Sequence, residues 1–213
     1  SFVVSRLPED MTSCPDANFL QVVSPLKALQ RLAERHREAF DIPVVGITGS
    51  NGKTVVKEWL YQLLSPEKNV TRSPRSYNSQ IGVPLSVWNL DERSEVGLFE
   101  AGISEPGEME ALQSVIQPTI GVFTCLGDAH QENFTSYEQK CLEKLKLFKD
   151  AKVLVYDMDD ARVVGCVNRS AFKGEYFAWS RQRRDVPLYI ASVEKREAET
   201  VVSYIYKGKE AAF

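Results

Sequence analysis

The sequence is poor in the residues that build disulfide frameworks and transition-metal centres. Its 213 residues include 4 cysteines and 2 histidines. Cys14, Cys125, Cys141 and Cys166 form no C-x-x-C pair and have no histidine at metal-ligand spacing, so they are expected as reduced thiols packed as small hydrophobes. An excess of one charge is missing too. Lys+Arg 26 against Asp+Glu 29 leaves a net charge of −3, too even for a chain that grips nucleic acid or anionic membrane by bulk charge. Any phosphate ligand must therefore be held locally. No apolar run reaches the roughly 18 residues of a membrane span, and the start SFVVSRLPED lacks the basic-then-apolar layout of a signal peptide. The expectation is a soluble, cytoplasmic protein with no nucleic-acid partner and no membrane insertion. Repeats and low-complexity tracts are absent, and 43% hydrophobic residues suffice for one core, in one domain or one plus a fragment.

What is there is an alternation of short β-branched runs with longer amphipathic segments, the pattern of a mostly parallel sheet with crossover helices, and hence an α/β fold. Ser24 and Pro25 offer an N-cap and first residue for a helix carrying Leu26, Leu29, Leu32, Ala33 and Phe40. Strands are predicted at Val44 to Thr48, Val96 to Ala101, Thr119 to Cys125 and Val153 to Tyr156. Helices are predicted at Thr54 to Leu64, Gly82 to Leu90, Glu108 to Ile116 and Tyr137 to Phe148. Beyond about Phe172 the runs at Tyr176, Leu188 and Val201 to Tyr206 read as a small antiparallel addition, with no helix to cross over. The chain stops at Phe213, where a strand returning from the Lys207-Gly208 turn should begin, so it reads as truncated. Arg181, Arg183 and Arg184 read as a solvated loop.

The strongest chemical signal is Gly46-Ile47-Thr48-Gly49-Ser50-Asn51-Gly52-Lys53-Thr54, a glycine turn between a buried strand and a helix. In such a loop backbone amides surround phosphate, the lysine reaches the outer phosphates and the Thr hydroxyl serves Mg²⁺. The strict G-x-x-x-x-G-K-[ST] count fails, because position 47 is isoleucine and the nearest glycine is Gly46. The spelling Thr-Gly-x-x-Gly-Lys-Thr instead resembles the Mur ligase family, the ATP-dependent enzymes that extend the peptide stem of cell-wall precursors. Val55-Val56-Lys57-Glu58, Asn78-Ser79-Gln80-Ile81-Gly82-Val83-Pro84, Glu100-Ala101-Gly102 and Gly127-Asp128-Ala129-His130 agree in order and spacing. Within the family they look most like the last-acting member, whose substrates are UDP-N-acetylmuramoyl-tripeptide and D-alanyl-D-alanine. Ser76 to Gln80 and Ile103 to Glu108 further resemble forms fused to an alanine racemase. A folylpolyglutamate synthetase-like ligase and a P-loop nucleotide-binding module without ligase activity are the rival readings. The resemblance divides the chain into 1–41, the tail of an N-terminal substrate domain with a linker helix, and 42–213, a truncated central ATP-binding domain without its C-terminal partner. It also implies a monomer.

Candidate site residues follow. The resemblance places Thr48, Gly49, Ser50, Asn51, Gly52, Lys53 and Thr54 around ATP, and Asn78 and Gln80 near substrate. Glu100 ends an apolar strand, where ligands of open α/β sheets bind, and a carboxylate there suits Mg²⁺. His36 lies on a charged helical face and is expected in solvent, whereas His130 follows a second strand end, where a structural and a metal role are equally open. The resemblance favours metal for His130. By spacing, Lys140, Lys144, Lys146 and Lys149 form a basic face over Leu142, Leu145 and Phe148. The resemblance makes Lys144 a carbamylated ligand of a second Mg²⁺, although the neighbouring lysines leave that register open, and makes Lys53, His130 and Lys144 the catalytic residues. Asp157-Met158-Asp159-Asp160 stands where the family has a nucleotide-side Asn-x-Asp string.

Overall fold

The computed structural model describes all residues except Met11, Ser13 and Cys14, so the expectation for Cys14 lies outside the described residues. A nine-stranded sheet organises the rest. At its centre β3 (Val44–Thr48), an unbroken apolar run with every residue buried, lies parallel to β5 (Val96–Glu100) on one side and β6 (Ile120–Phe123) on the other. Beyond β5 comes β4 (Val70–Arg72), a short parallel strand without a clear sequence signal. Beyond β6 lie β7 (Val153–Asp157), β8 (Glu175–Ser180), β9 (Leu188–Lys195), β10 (Thr200–Tyr206) and β11 (Lys209–Ala212). A separate pair, β1 (Phe2–Val4) and β2 (Phe19–Gln21), is also parallel.

Helices cover the two faces unequally. The helix α1 (Pro25–Arg37) begins as its residues demand, with Ser24 Oγ accepting from the Lys27 amide at 3.3 Å and proline in the first turn. It packs on α3 (Gly82–Val87) and α4 (Glu108–Ile116), burying Ala33 among Val83, Val87, Leu112 and Ile116. The opposite face of β3 and β5 packs Val45, Ile47 and Leu98 against Val56, Leu60 and Leu64 of α2 (Lys53–Leu64). Alternate residues of β3 thus serve two hydrophobic layers, as the period of a strand requires. The helix α5 (Tyr137–Leu145) continues into a 3₁₀ turn at Lys146–Phe148, and Phe148 lies against the backbone of Gly121.

Several expectations are corrected. The helix α6 (Ala161–Arg169) crosses over between β7 and β8, which are parallel, and β9 is parallel to β8 as well, so antiparallel pairing begins only where β10 meets β9. Its signal lay in Asp160, whose carboxylate accepts from the amides of Arg162 and Val163, and in the buried stripe Val163, Cys166, Val167. The strand expected after Phe213 is already present, because Lys207-Gly208 closes a hairpin that pairs Ser203 with Ala212. His36 is half-buried instead of solvated, with Nε2 3.0 Å from the Leu90 carbonyl and its ring stacked on Trp88. Nor do the lysines of α5 form a basic face: Lys140 and Lys144 are buried, while Lys146 and Lys149 are exposed. Lys140 is covered by the 127–129 segment, whose carbonyls it bonds, and Lys144 lies on the wall of a cleft beside the 49–53 loop. Cys125, Cys141 and Cys166 are free thiols as expected. No helix among the described residues is long and apolar enough to cross a membrane.

Candidate functional site

The loop after β3 is held by the ends of both neighbouring strands. Ser50 donates its amide to the Cys125 carbonyl at 2.8 Å and its hydroxyl to the Gly127 carbonyl at 3.1 Å. Thr124 Oγ1 donates to the Asn51 carbonyl at 2.6 Å, and Thr48 Oγ1 to the Ala101 carbonyl at 2.8 Å. This close approach explains Gly49: its φ is +146°, and a Cβ there would lie 2.0 Å from Thr124 Oγ1. Gly52, also left-handed at +80°, starts α2. A ring of backbone amides at a helix N-terminus is the geometry that accepts phosphate. Lys53 folds back over this ring, its Nζ donating to Gly49 O at 2.9 Å and Ser50 O at 3.5 Å. Burial lowers its pKa, against the opposing pull of Glu100 and Cys125.

In the first turn of α2, Thr54 Oγ1 donates to Glu100 Oε2 at 2.9 Å and lies 3.2 Å from Ser76 Oγ. The Glu100 side chain is fully buried. Its second oxygen, Oε1, accepts from Lys57 Nζ at 3.2 Å. Lys57 was legible only as part of a matching string, yet its place three residues after Thr54 puts both on one helical face toward the same carboxylate. Thr54 Oγ1, Ser76 Oγ and Glu100 Oε2 are therefore gathered together, a donor set that suits a hard cation such as Mg²⁺, which takes few protein carboxylates and completes its shell with phosphate and water. Among the described residues no three His, Cys, Asp or Glu side chains converge as a metal centre.

A cleft of about 360 Å³ opens beside the loop, lined among others by Gly49, Ser50, Lys53, Asn78, Gln80, His130 and Lys144. His130, left-handed at φ 57°, is exposed on its wall and makes no hydrogen bond to Thr54 or Glu100. The segment before it is held from below by Lys140, whose Nζ donates to the carbonyls of Gly127 at 2.5 Å and Ala129 at 3.3 Å. Lys144 is 3% exposed and has no hydrogen-bond or ion-pair partner among the described residues. Burial, with the charges of Lys53 and Lys140, pushes it down to about 8. The structure thus separates the four lysines that spacing could not: Lys144 alone among them reaches the cleft. Asn78 lies over Gly102, whose amide donates to the Asn78 carbonyl at 2.8 Å. The Gln80 amide is engaged at both ends, accepting from Gln30 at 2.8 Å and donating to the Glu108 carbonyl at 3.1 Å. Of the acidic string, Asp160 caps α6, Asp159 accepts from Ser180 and the Arg181 amide, and burial raises the Asp157 carboxyl.

Comparisons with known proteins agree with this architecture. Residues 47–212 match the family model described as the Mur ligase middle domain. Over 138 residues, 63% of this chain and 30% of the relative, the sequence is 33% identical to a Bacillus subtilis UDP-N-acetylmuramoyl-tripeptide--D-alanyl-D-alanine ligase. The Borreliella burgdorferi ligase of the same name is 35% identical over 144 residues, 67% of this chain and 31% of the relative. Among solved structures, MurF ligase from Thermotoga maritima in complex with ADP superposes with a TM-score of 0.85 at 25% identity, covering 99% of this chain and 48% of that one. MurF from Acinetobacter baumannii gives 0.87 at 20% identity, over 99% of this chain and 45% of that one, and shows the shared fold. The chain thus spans about a third of the length of the curated relatives it matches. With a phosphate-accepting loop, a hydrogen-bonded Thr54–Glu100 pair behind it and a family match across most of its length, the chain belongs to the Mur ligase family and carries the middle domain of that family.

Proposed function

We propose that the chain is the ATP-handling part of a ligase that joins D-alanyl-D-alanine to UDP-N-acetylmuramoyl-tripeptide in peptidoglycan synthesis. The observation that carries the reading is the pairing of the Lys53 loop with an unpartnered buried lysine, Lys144, on one cleft, in a chain whose relatives bear that ligase name. In this reading the loop amides at Asn51, Gly52 and Lys53, with the Lys53 side chain, hold the phosphates of ATP, while the Ser50 amide stays bonded to the Cys125 carbonyl. Thr54 and Glu100 hold Mg²⁺, and His130 and Lys144 serve a second ion. When bound, Mg²⁺ neutralises charge on the transferring phosphoryl group. The substrate carboxylate attacks the γ-phosphate, giving an acyl phosphate and ADP. The amine of D-alanyl-D-alanine then displaces phosphate through a tetrahedral intermediate to form the amide. Lys53 and the loop amides orient and neutralise, and the cleft walls exclude water from the acyl phosphate.

Lys144 enters as a carbamate, its neutral amine adding to CO₂ with loss of a proton. Pushed down to about 8, it is neutral in about one molecule in ten at pH 7, against about one in 10³ for an ordinary lysine. Conversion to an anionic oxygen donor also removes the repulsion among Lys144, Lys53 and Lys140. Asn78, whose carboxamide lies against Gly102 and has no hydrogen-bond partner among the described residues, is the better candidate for substrate contact; Gln80 would act through the packing of α1 on α4.

The proposal includes residues 1–41 as the tail of a substrate domain and 42–213 as the central domain of a longer, cytoplasmic, monomeric enzyme, with an alanine racemase as fusion partner. Phosphate release by the full-length protein should require ATP, the muramyl tripeptide and D-alanyl-D-alanine together. Release that instead depends on a folate and glutamate, or that ignores both acceptors, would refute the reading in favour of its two rivals.

A further inference from the structure

Lys57 takes no part in the chemistry above, yet it is fully buried against Glu100, and its ammonium has no contact with solvent. A buried ammonium is tolerated only when its donors are satisfied, and here they are. Nζ donates to the Ser73 carbonyl at 2.7 Å, to the Arg75 carbonyl and to Glu100 Oε1 at 3.2 Å, with Glu58 Oε1 at 3.3 Å. A methionine of similar length would fill the same space without the desolvation cost. What the ammonium adds is direction: it fixes two acceptors on the turn after β4 and one on the end of β5.

Those acceptors stand beside the oxygen cluster. Arg75, held in the left-handed region at φ 48°, directly precedes Ser76, whose Oγ lies 3.2 Å from Thr54 Oγ1. Glu100 Oε1 is occupied by Lys57, which leaves Oε2 turned toward Thr54. We propose that Lys57 is a positioning residue, which orients Glu100 Oε2 and the Ser76 turn toward Thr54 so that the cluster is assembled before a divalent cation arrives. This inference rests on the Mg²⁺ reading above and deepens it.

The test compares the wild-type chain with Lys57→Met and Lys57→Arg, using ADP with and without Mg²⁺ as the probe, and amide hydrogen exchange in the free protein. In Lys57→Met, exchange across 73–78 should quicken by about tenfold or more, as a turn loses its anchor. Metal-free ADP affinity should stay within about twofold, while the gain in affinity conferred by Mg²⁺ should fall by about tenfold, the usual effect of removing a residue that orients a ligand. A folded Lys57→Met with wild-type Mg²⁺ dependence overturns the proposal, whether or not its exchange is faster, because the lysine is then only a structural tie. If Lys57→Met fails to fold, Lys57→Arg keeps the charge but moves the donors. The same loss of Mg²⁺ dependence supports the proposal, and wild-type values overturn it. Absence of any Mg²⁺ effect in the wild-type chain would overturn the metal reading of Thr54 and Glu100 together with this inference, an outcome distinct from failure of Lys57 alone.

Discussion

Replacing Lys144 by methionine should stabilise the ligand-free chain while removing the side chain proposed above as a metal ligand. In the folded state the residue is 3% exposed, without a hydrogen-bond or ion-pair partner among the described residues and repelled by Lys53 and Lys140, and its pKa is pushed from 10.5 down to about 8. A base with a lowered folded pKa destabilises the fold fully below that pKa, and the penalty fades as pH rises toward the unfolded value. At pH 7 the shift corresponds to about 3 kcal/mol of lost stability, at about 1.4 kcal/mol per unit. By about pH 9.5 only about 1 kcal/mol should remain. Methionine fills similar volume without a charge, so Lys144→Met should gain up to about 3 kcal/mol at pH 7, and the advantage should shrink by more than half at about pH 9.5. Urea denaturation followed by circular dichroism at both pH values measures it. A variant less stable than wild type at pH 7, or a gain that does not change with pH, would refute the picture of an uncompensated buried ammonium.

Three further substitutions probe the rest of the site and its scaffold. Lys53→Ala should weaken nucleotide binding by about 10² or more while the melting temperature stays nearly unchanged, since Nζ bonds only loop carbonyls; unchanged affinity in calorimetry would remove the phosphate role. His130→Gly should leave stability equal or raise it by up to about 1 kcal/mol, because glycine relieves the left-handed φ of 57°, yet it should abolish phosphate release in the full-length enzyme. Full retained turnover would strike His130 from the site. Gly121→Ala should destabilise by about 1–3 kcal/mol, because the new Cβ would lie 2.4 Å from the Phe148 ring; a wild-type denaturation midpoint would show that the 3₁₀ turn gives way freely.

Much of this protein was decided locally, and there the sequence was legible. An unbroken apolar run before Gly49 to Thr54 could only be a buried strand feeding a helix N-terminus, because the left-handed glycines and the Gly-Lys-Thr string have few packing uses. Ser24-Pro25 and the apolar period of α4 were equally local, and the helices began where those residues stand. Other features depended on what lay across the fold. Spacing could not separate the four lysines, since exposure is set by loops distant in sequence, the 127–129 segment over Lys140 and the 49–53 loop beside Lys144, and only the packed structure buried those two. The parallel pairing of β8 turned on a nine-residue crossover whose capping aspartate looked like part of a ligand string. The bond between Lys57 and Glu100 joins residues 43 apart in sequence, and no periodicity records such a contact. Local sequence sets backbone geometry and amphipathic phase, while a buried charge acquires its meaning only from the acceptors that the tertiary fold brings to it.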